Sequence, residues 1–181
     1  MQYINYYSSP LGKITLASNG NELIGLWFEG QKYFASTLTK EYEQINLPVF
    51  EQTAKWLDIY FSGKNPDFTP PLFLSSTSFR NEVWKILLTI PYGKIMTYGE
   101  IAKLMAENRG VEKMSARSVG GAVGHNPISI IVPCHRVVGT DGSLTGYAGG
   151  VDIKEKLLKF ENVDMSKPVS YTHLRAHETR R

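Results

Sequence analysis

The chain has 181 residues, 42% of them apolar and 20% charged. That balance excludes a disordered or collagen-like polymer and fits one domain or two small ones. No apolar run approaches the ~20 residues of a bilayer span, and the start, Met1-Gln2-Tyr3-Ile4-Asn5, lacks the basic and apolar regions of a signal peptide. A cytoplasmic protein with no membrane partner is expected. The single cysteine, Cys134, excludes an internal disulfide framework and a multi-cysteine zinc site; no metal or other cofactor is expected. The net charge of +3 is uneven: residues 1–75 hold 5 Lys/Arg against 7 Asp/Glu, residues 76–140 hold 8 against 4. The basic excess surrounds the cysteine, as contact with nucleic acid or an ordinary solvated surface would both allow.

In chain order, residues 3–7, 14–18 and 23–28 are short runs rich in aromatic and β-branched residues, separated by turn residues, and read as strands. Residues 50–61 read as a helix with Phe50, Ala54, Leu57 and Phe61 on its inner face and Gly63 as its stop. Pro66, Pro70, Pro71 and the serine-rich run after them place a domain boundary near residue 75. A second domain, 76–168, opens with a helix over 78–89. Thr97-Tyr98-Gly99-Glu100 is a capping-box pattern that starts a short helix through Ala106. Ser115 is a candidate N-cap for another helix over 116–123. The eight-residue connector 107–114 is long for a helix-turn-helix. Residues 128–132 read as a buried strand entering Pro133-Cys134-His135-Arg136, and a glycine-rich loop then leads to a helix over 152–161 with Ile153, Leu157 and Leu158 inward. Residues 169–181 follow Pro168, carry His173 and His177, lack apolar periodicity, and read as foreign sequence rather than as part of the fold. The expected class is α+β: a small sheet-and-helix domain, then a mainly helical, winged-helix-like domain.

A thiol becomes a useful nucleophile when a cation, base or helix N-terminus lowers its pKa from ~8.5. Cys134 has His135 and Arg136 beside it. In an extended segment neighbouring side chains point opposite ways, so a water would have to relay a proton from the thiol to His135. A small buried hydrophobe followed by a histidine is the plainer reading of that pair.

The longer string is more specific. Asn126-Pro127, then Ile128 to Val132, then Pro133-Cys134-His135-Arg136-Val137-Val138-Gly139, and later Gly146-Tyr147-Ala148-Gly149-Gly150, resemble the O6-alkylguanine-DNA alkyltransferases. The likeness continues through residues 79–101, 115–121 and 154–161. It implies that Cys134 accepts an alkyl group irreversibly, in one turnover, from O6-alkylguanine and also from O4-alkylthymine. It implies that His135 takes the thiol proton through a water, that Glu161 supports the histidine and that Asn126 braces the turn. Tyr98 would donate a hydrogen bond to the guanine ring, and Arg117 would fill the gap left by an extruded nucleotide. The Val137 carbonyl and the Ala148 N–H would read the guanine edge, and Ser115, Ala116, Gly120, Gly121, Arg136 and Tyr147 would complete the DNA and substrate contacts. The implied partner is double-stranded DNA carrying O6-alkylguanine, bound by a monomer.

These roles are physically coherent. An alkyl group inside a duplex is reached only after the nucleotide is extruded, and a side chain wedged into the stack offsets an unstacking cost of a few kcal/mol. Ala148 stands where some relatives have Ser, which removes a hydroxyl contact and leaves the backbone N–H. Two other readings compete: a DNA-binding module that keeps Cys134 as a relic, and a cysteine hydrolase, for which adjacent Cys and His are poorly spaced.

Overall fold

The computed structural model describes residues 1–144 and 146–163; the tail expected at 169–181 lies outside them. The chain divides into two compact units. Unit 1 is Met1–Ser75 with Pro127–Ile131; unit 2 holds Ser76–Asn126 and the described residues from Val132 onward.

In unit 1 the aromatic and β-branched runs form β1 (Gln2–Ser9), β2 (Gly12–Ser18) and β3 (Leu23–Phe28), joined as antiparallel neighbours, with β4 (Tyr42–Gln44) parallel to β1 at the edge. One face buries Ile4, Ala17, Ile24 and Trp27 under Ala35 and Leu38. From β1, Tyr7 reaches α1 (Pro48–Phe61), donating to Asp58 at 2.6 Å and stacking on Phe61. The inner face of α1 differs from expectation. Val49, Phe50, Thr53, Trp56, Leu57 and Tyr60 are buried, whereas Ala54 and Phe61 are half-buried. Rotating the helix this way buries the stacked Trp56–Tyr60 pair, and Thr53 is satisfied inside the helix by donating to the Val49 carbonyl. The larger aromatic area outweighs one threonine hydroxyl that is already paired.

The strand expected at 128–132 does not form. Only Ile128 bridges, to Leu26 of β3. The backbone then turns at Ile130, whose φ is +70°, with the Ile131 N–H donating to the Ser129 carbonyl at 2.8 Å. A second tight turn is centred on Pro133 (φ −82°, ψ 64°), where the Cys134 N–H donates to the Val132 carbonyl at 2.8 Å. Those angles are those of an inverse γ-turn. Proline's ring holds φ near that value and supplies no N–H for a ladder, so the segment turns where apolar content alone suggested a strand.

Unit 2 is mainly helical. Trp84 of α2 (Ser78–Leu87) donates its indole N–H to the Ala122 carbonyl of α4 (Ala116–Gly124) at 2.8 Å. The capping box holds: Thr97 accepts from Glu100 N, and Glu100 accepts from Thr97 N. It opens α3, which runs Tyr98–Arg109 rather than stopping at Ala106. Arg109 pairs with Glu82 of α2 at 2.7 Å, and Gly110 ends the helix at φ +65°, a conformation glycine adopts without a Cβ penalty. The connector to α4 is therefore residues 110–115, shorter than the sequence suggested. Two short parallel strands, β5 (Met96–Thr97) and β6 (Val137–Val138), then set the start of α3 beside the residues just past Cys134. Helix α5 (Val151–Phe160) follows. The fold is mixed α+β, and no helix among the described residues is long and apolar enough to cross a membrane.

Candidate active site

Cys134 opens a single 3-10 turn, Cys134–Arg136, directly after the Pro133 γ-turn. The segment is thus curled rather than extended, so the strict alternation assumed for Cys134 and His135 does not apply. Cys134 is 3% exposed. Asn126, also buried, donates through Nδ2 to Sγ at 3.1 Å and to the Val132 carbonyl at 2.8 Å. One amide thereby closes the five-residue excursion 127–131 and touches the sulfur. Burial pushes the thiol up to about 11; the Asn126 hydrogen bond and the Lys154 charge pull in the other direction. At neutral pH the resting sulfur is a thiol.

His135 and Arg136 converge on Glu161, the residue that caps the end of α5. His135 Nε2 lies 2.5 Å from Glu161 Oε2, while Glu161 Oε1 accepts from Arg136 Nε at 2.8 Å and from the Gly93 N–H at 3.0 Å. Arg136 also donates to the Ile90 carbonyl at 2.6 Å. Burial alone would raise the Glu161 carboxyl, but His135 and Arg136 together hold it well below the usual carboxylate range. Burial lowers His135, against the pull of Glu161, so the imidazole is neutral. With Nε2 directed at the carboxylate, Nδ1 is the basic nitrogen. The expectation that Arg136 contacts DNA or substrate needs correction. Its guanidinium is turned inward, because a buried carboxylate beside a neutral histidine requires a permanent cation.

Tyr98, first residue of α3, is half-buried, and burial followed by the Cys134 charge pushes its hydroxyl up to about 12. It is a neutral donor at any ordinary pH. Tyr147 is buried with its ring against Gly149, and Ala148 beside it is half-buried.

The sequence reading missed Lys154. Its side chain is fully buried, Nζ donates to the Val137 carbonyl and sits 5.8 Å from the centre of the Tyr98 ring, and burial lowers it to about 8 against the pull of Cys134. Periodicity carried the signal. Positions 154, 157, 158 and 161 share one helical face, and Leu157, Leu158 and Glu161 are all buried.

On α4, Ser115 is the N-cap and accepts from the Ser118 N–H at 3.1 Å. Ala116, Arg117 and Gly121 are exposed, whereas Gly120 is half-buried against the Tyr98 ring. Among the described residues Arg117 makes no ion pair. The structure thus gathers Cys134, Asn126, His135, Glu161, Tyr98 and Val137 inside unit 2 and leaves the first turn of α4 facing solvent.

Comparison with known proteins agrees with this layout. The family model described as 6-O-methylguanine DNA methyltransferase, DNA binding domain, matches residues 78–163, and that described as 6-O-methylguanine DNA methyltransferase, ribonuclease-like domain, matches residues 2–74. The methylated-DNA–protein-cysteine methyltransferase of Haemophilus influenzae is 40% identical over 162 residues, covering 89% of this chain and 87% of that protein. The Mycobacterium tuberculosis protein of the same name is 44% identical over 153 residues, covering 84% and 88%. The crystal structure of Mycobacterium tuberculosis OGT in complex with DNA superposes with a TM-score of 0.76 at 42% identity, over 88% of this chain and 92% of that one.

Two outcomes follow from the buried charges. His135 titrates lower in the folded chain than its unfolded value of ~6.5, so the unfolded state binds more protons and stability falls as pH drops below about 6.5. Glu161, depressed in the same sense, adds a further loss below its unfolded value of ~4.3. The urea midpoint of His135→Gln is expected to be flat between pH 6.5 and 5 where the parent declines; equal slopes would refute the neutral, buried imidazole. For Lys154, a shift from 10.5 to about 8 corresponds to roughly 3 kcal/mol of burial cost on the charged amine. Lys154→Met is expected to melt above the parent near pH 7. That advantage should shrink between pH 8 and 10.5, where the folded chain binds fewer protons than the unfolded one; a lower, pH-independent melting temperature contradicts it.

Proposed function

Because the chain belongs to the 6-O-methylguanine DNA methyltransferase family, we propose that Cys134 is the acceptor through which it acts. The protein is a methylated-DNA–protein-cysteine methyltransferase: it binds DNA and moves an alkyl group from guanine O6 to its own cysteine, once per molecule. The observation that carries the assignment is the setting of the sulfur. It accepts a hydrogen bond from Asn126, while the next residue in the chain is a neutral histidine backed by an ionised, buried glutamate.

The reaction is a displacement at the alkyl carbon. The thiol proton leaves by way of a water to His135 Nδ1, and Glu161 stabilises the imidazolium that forms. Sulfur attacks in line, the carbon–oxygen bond breaks as the carbon–sulfur bond forms, and the electron pair is left on the guanine. Tyr98 meets that developing charge with its hydroxyl, which burial keeps protonated. Asn126 braces the turn and holds the sulfur. Lys154 faces both Cys134 and Tyr98 with a positive charge, which favours the thiolate over the thiol. The Val137 carbonyl and the Ala148 N–H meet the guanine edge, with Lys154 fixing the direction of the former and the buried Tyr147 the position of the latter.

The outer turn of α4 is the DNA surface. Ser115, Ala116 and Gly121 offer backbone and small side chains to the phosphates, Gly120 spaces the helix from Tyr98, and Arg117 fills the stack behind the extruded nucleotide. The site residues come from one chain, which supports action as a monomer. A DNA substrate and a nucleophilic thiol suit a reducing cytoplasm.

Mixing the protein with a duplex containing O6-methylguanine is expected to add one methyl group to the Cys134 peptide and none to the Cys134→Ala variant, which should still bind DNA. An unmodified Cys134 peptide refutes the acceptor assignment. If Arg117 fills the stack, Arg117→Ala should slow single-turnover transfer from saturating duplex by tenfold or more, the order of the unstacking cost, and leave transfer from free O6-benzylguanine near the parental rate. A simple phosphate contact instead lowers affinity and the salt slope by about one, with the saturating rate unchanged.

A further inference from the structure

Tyr98 is confined on several sides, and each is an observation independent of its chemistry. Its backbone is the first turn of α3, held by the Thr97 cap. Its ring has Gly120 of α4 on one side, where an added β-carbon would lie 3.8 Å from Cδ1, and the Lys154 ammonium 5.8 Å from its centre. Its hydroxyl points at Gly146. A β-carbon on Gly146 would lie 2.9 Å from Tyr98 Oη and 3.8 Å from Cζ, a contact so close that one of the two groups must shift. Gly146 has φ +92°, so a side chain there is strained by the backbone as well. Its own carbonyl faces Gly124 of α4, where an added β-carbon would lie 3.7 Å away.

We infer that Gly146 is a positioning residue: by lacking a side chain it holds open the place of the Tyr98 hydroxyl and thereby sets the rate of alkyl transfer. The inference rests on the reading of Tyr98 as the donor to the leaving guanine. Two effects of a substitution at 146 must be separated. Backbone strain acts whether or not residue 98 carries a hydroxyl. Displacement of the hydroxyl acts only when it is there.

A double-mutant cycle on the full chain separates them. Single-turnover rates would be measured for the parent, Gly146→Ala, Tyr98→Phe and the double variant, with duplex DNA and with free O6-benzylguanine, alongside melting temperatures. Loss of a hydrogen bond to developing charge predicts a fall of about tenfold or more for Gly146→Ala with both substrates. In the Tyr98→Phe background the same substitution should change the rate less than about twofold, although it lowers the melting temperature equally in both. An equal rate loss in both backgrounds overturns the inference, as does a loss confined to duplex DNA or a parental rate in Gly146→Ala. A parental rate in Tyr98→Phe alone removes the Tyr98 reading and the inference with it, an outcome distinct from the others. Should Gly146→Ala fold poorly, Gly146→Asn, a residue that tolerates positive φ, completes the same cycle.

Discussion

A single buried carboxylate organises unit 2 around the cysteine. Glu161 closes α5 and, in the same place, binds His135, Arg136 and the Gly93 N–H. Each of those partners is itself buried or tied to a neighbouring element, Arg136 through the Ile90 carbonyl. An ionised carboxylate out of water costs several kcal/mol unless its lone pairs are filled. Here they are filled by one permanent cation, one imidazole and one backbone amide. The permanent cation is what allows the imidazole to remain neutral: Arg136 balances the carboxylate charge, so His135 need not, and its second nitrogen keeps its basicity for another proton.

A buried nucleophile trades resting reactivity for control. Burial raises the Cys134 thiol, so in the free protein the sulfur is protected against adventitious electrophiles and oxidants. A protein that acts once cannot recover a sulfur lost to a side reaction. On the proposed mechanism reactivity arises when the substrate arrives, from groups that gain more from the thiolate than from the thiol: the Asn126 amide, the histidine backed by Glu161, and the Lys154 ammonium.

How much of this was legible before the structure depended on whether a feature is local. The capping box at Thr97 and Glu100 and the α4 cap at Ser115 are patterns within four residues, and they formed as read. The α+β class and the first three strands were legible from local composition, whereas β4, β5 and β6 were not read, and the string around Cys134 was legible through its resemblance to a family rather than from the Cys-His pair alone. Arg136 was misplaced because its partner is 25 residues away, just past the end of α5, and no nearby residue announces a buried acid. Residues 128–132 look like a strand in composition, yet the proline that ends them and the excursion between Asn126 and Val132 impose two tight turns. Lys154 was overlooked because a lysine counts as solvated by type, although its helical position puts it on the stripe with Leu157 and Leu158. Chemistry of type and periodicity of position disagreed there, and position won.

That disagreement has an energetic meaning. Taken singly, a buried thiolate and a buried ammonium are both in unfavourable settings, which is why Cys134 is raised and Lys154 lowered. Each is partly relieved by the other: the Lys154 charge pulls Cys134 down, and the Cys134 charge pulls Lys154 up. The mutual relief exists only once the thiol has lost its proton. The resting protein therefore carries the burial cost of the ammonium with no anion to offset it, and the reacting state carries a matched pair. An interaction absent from the ground state and present as sulfur becomes nucleophilic lowers the barrier rather than merely tightening binding. The same lysine also holds the Val137 carbonyl, so the group that favours the thiolate also fixes the direction of the carbonyl proposed to meet the guanine edge. Destabilisation of the resting fold and readiness for a single chemical step thus have one structural source.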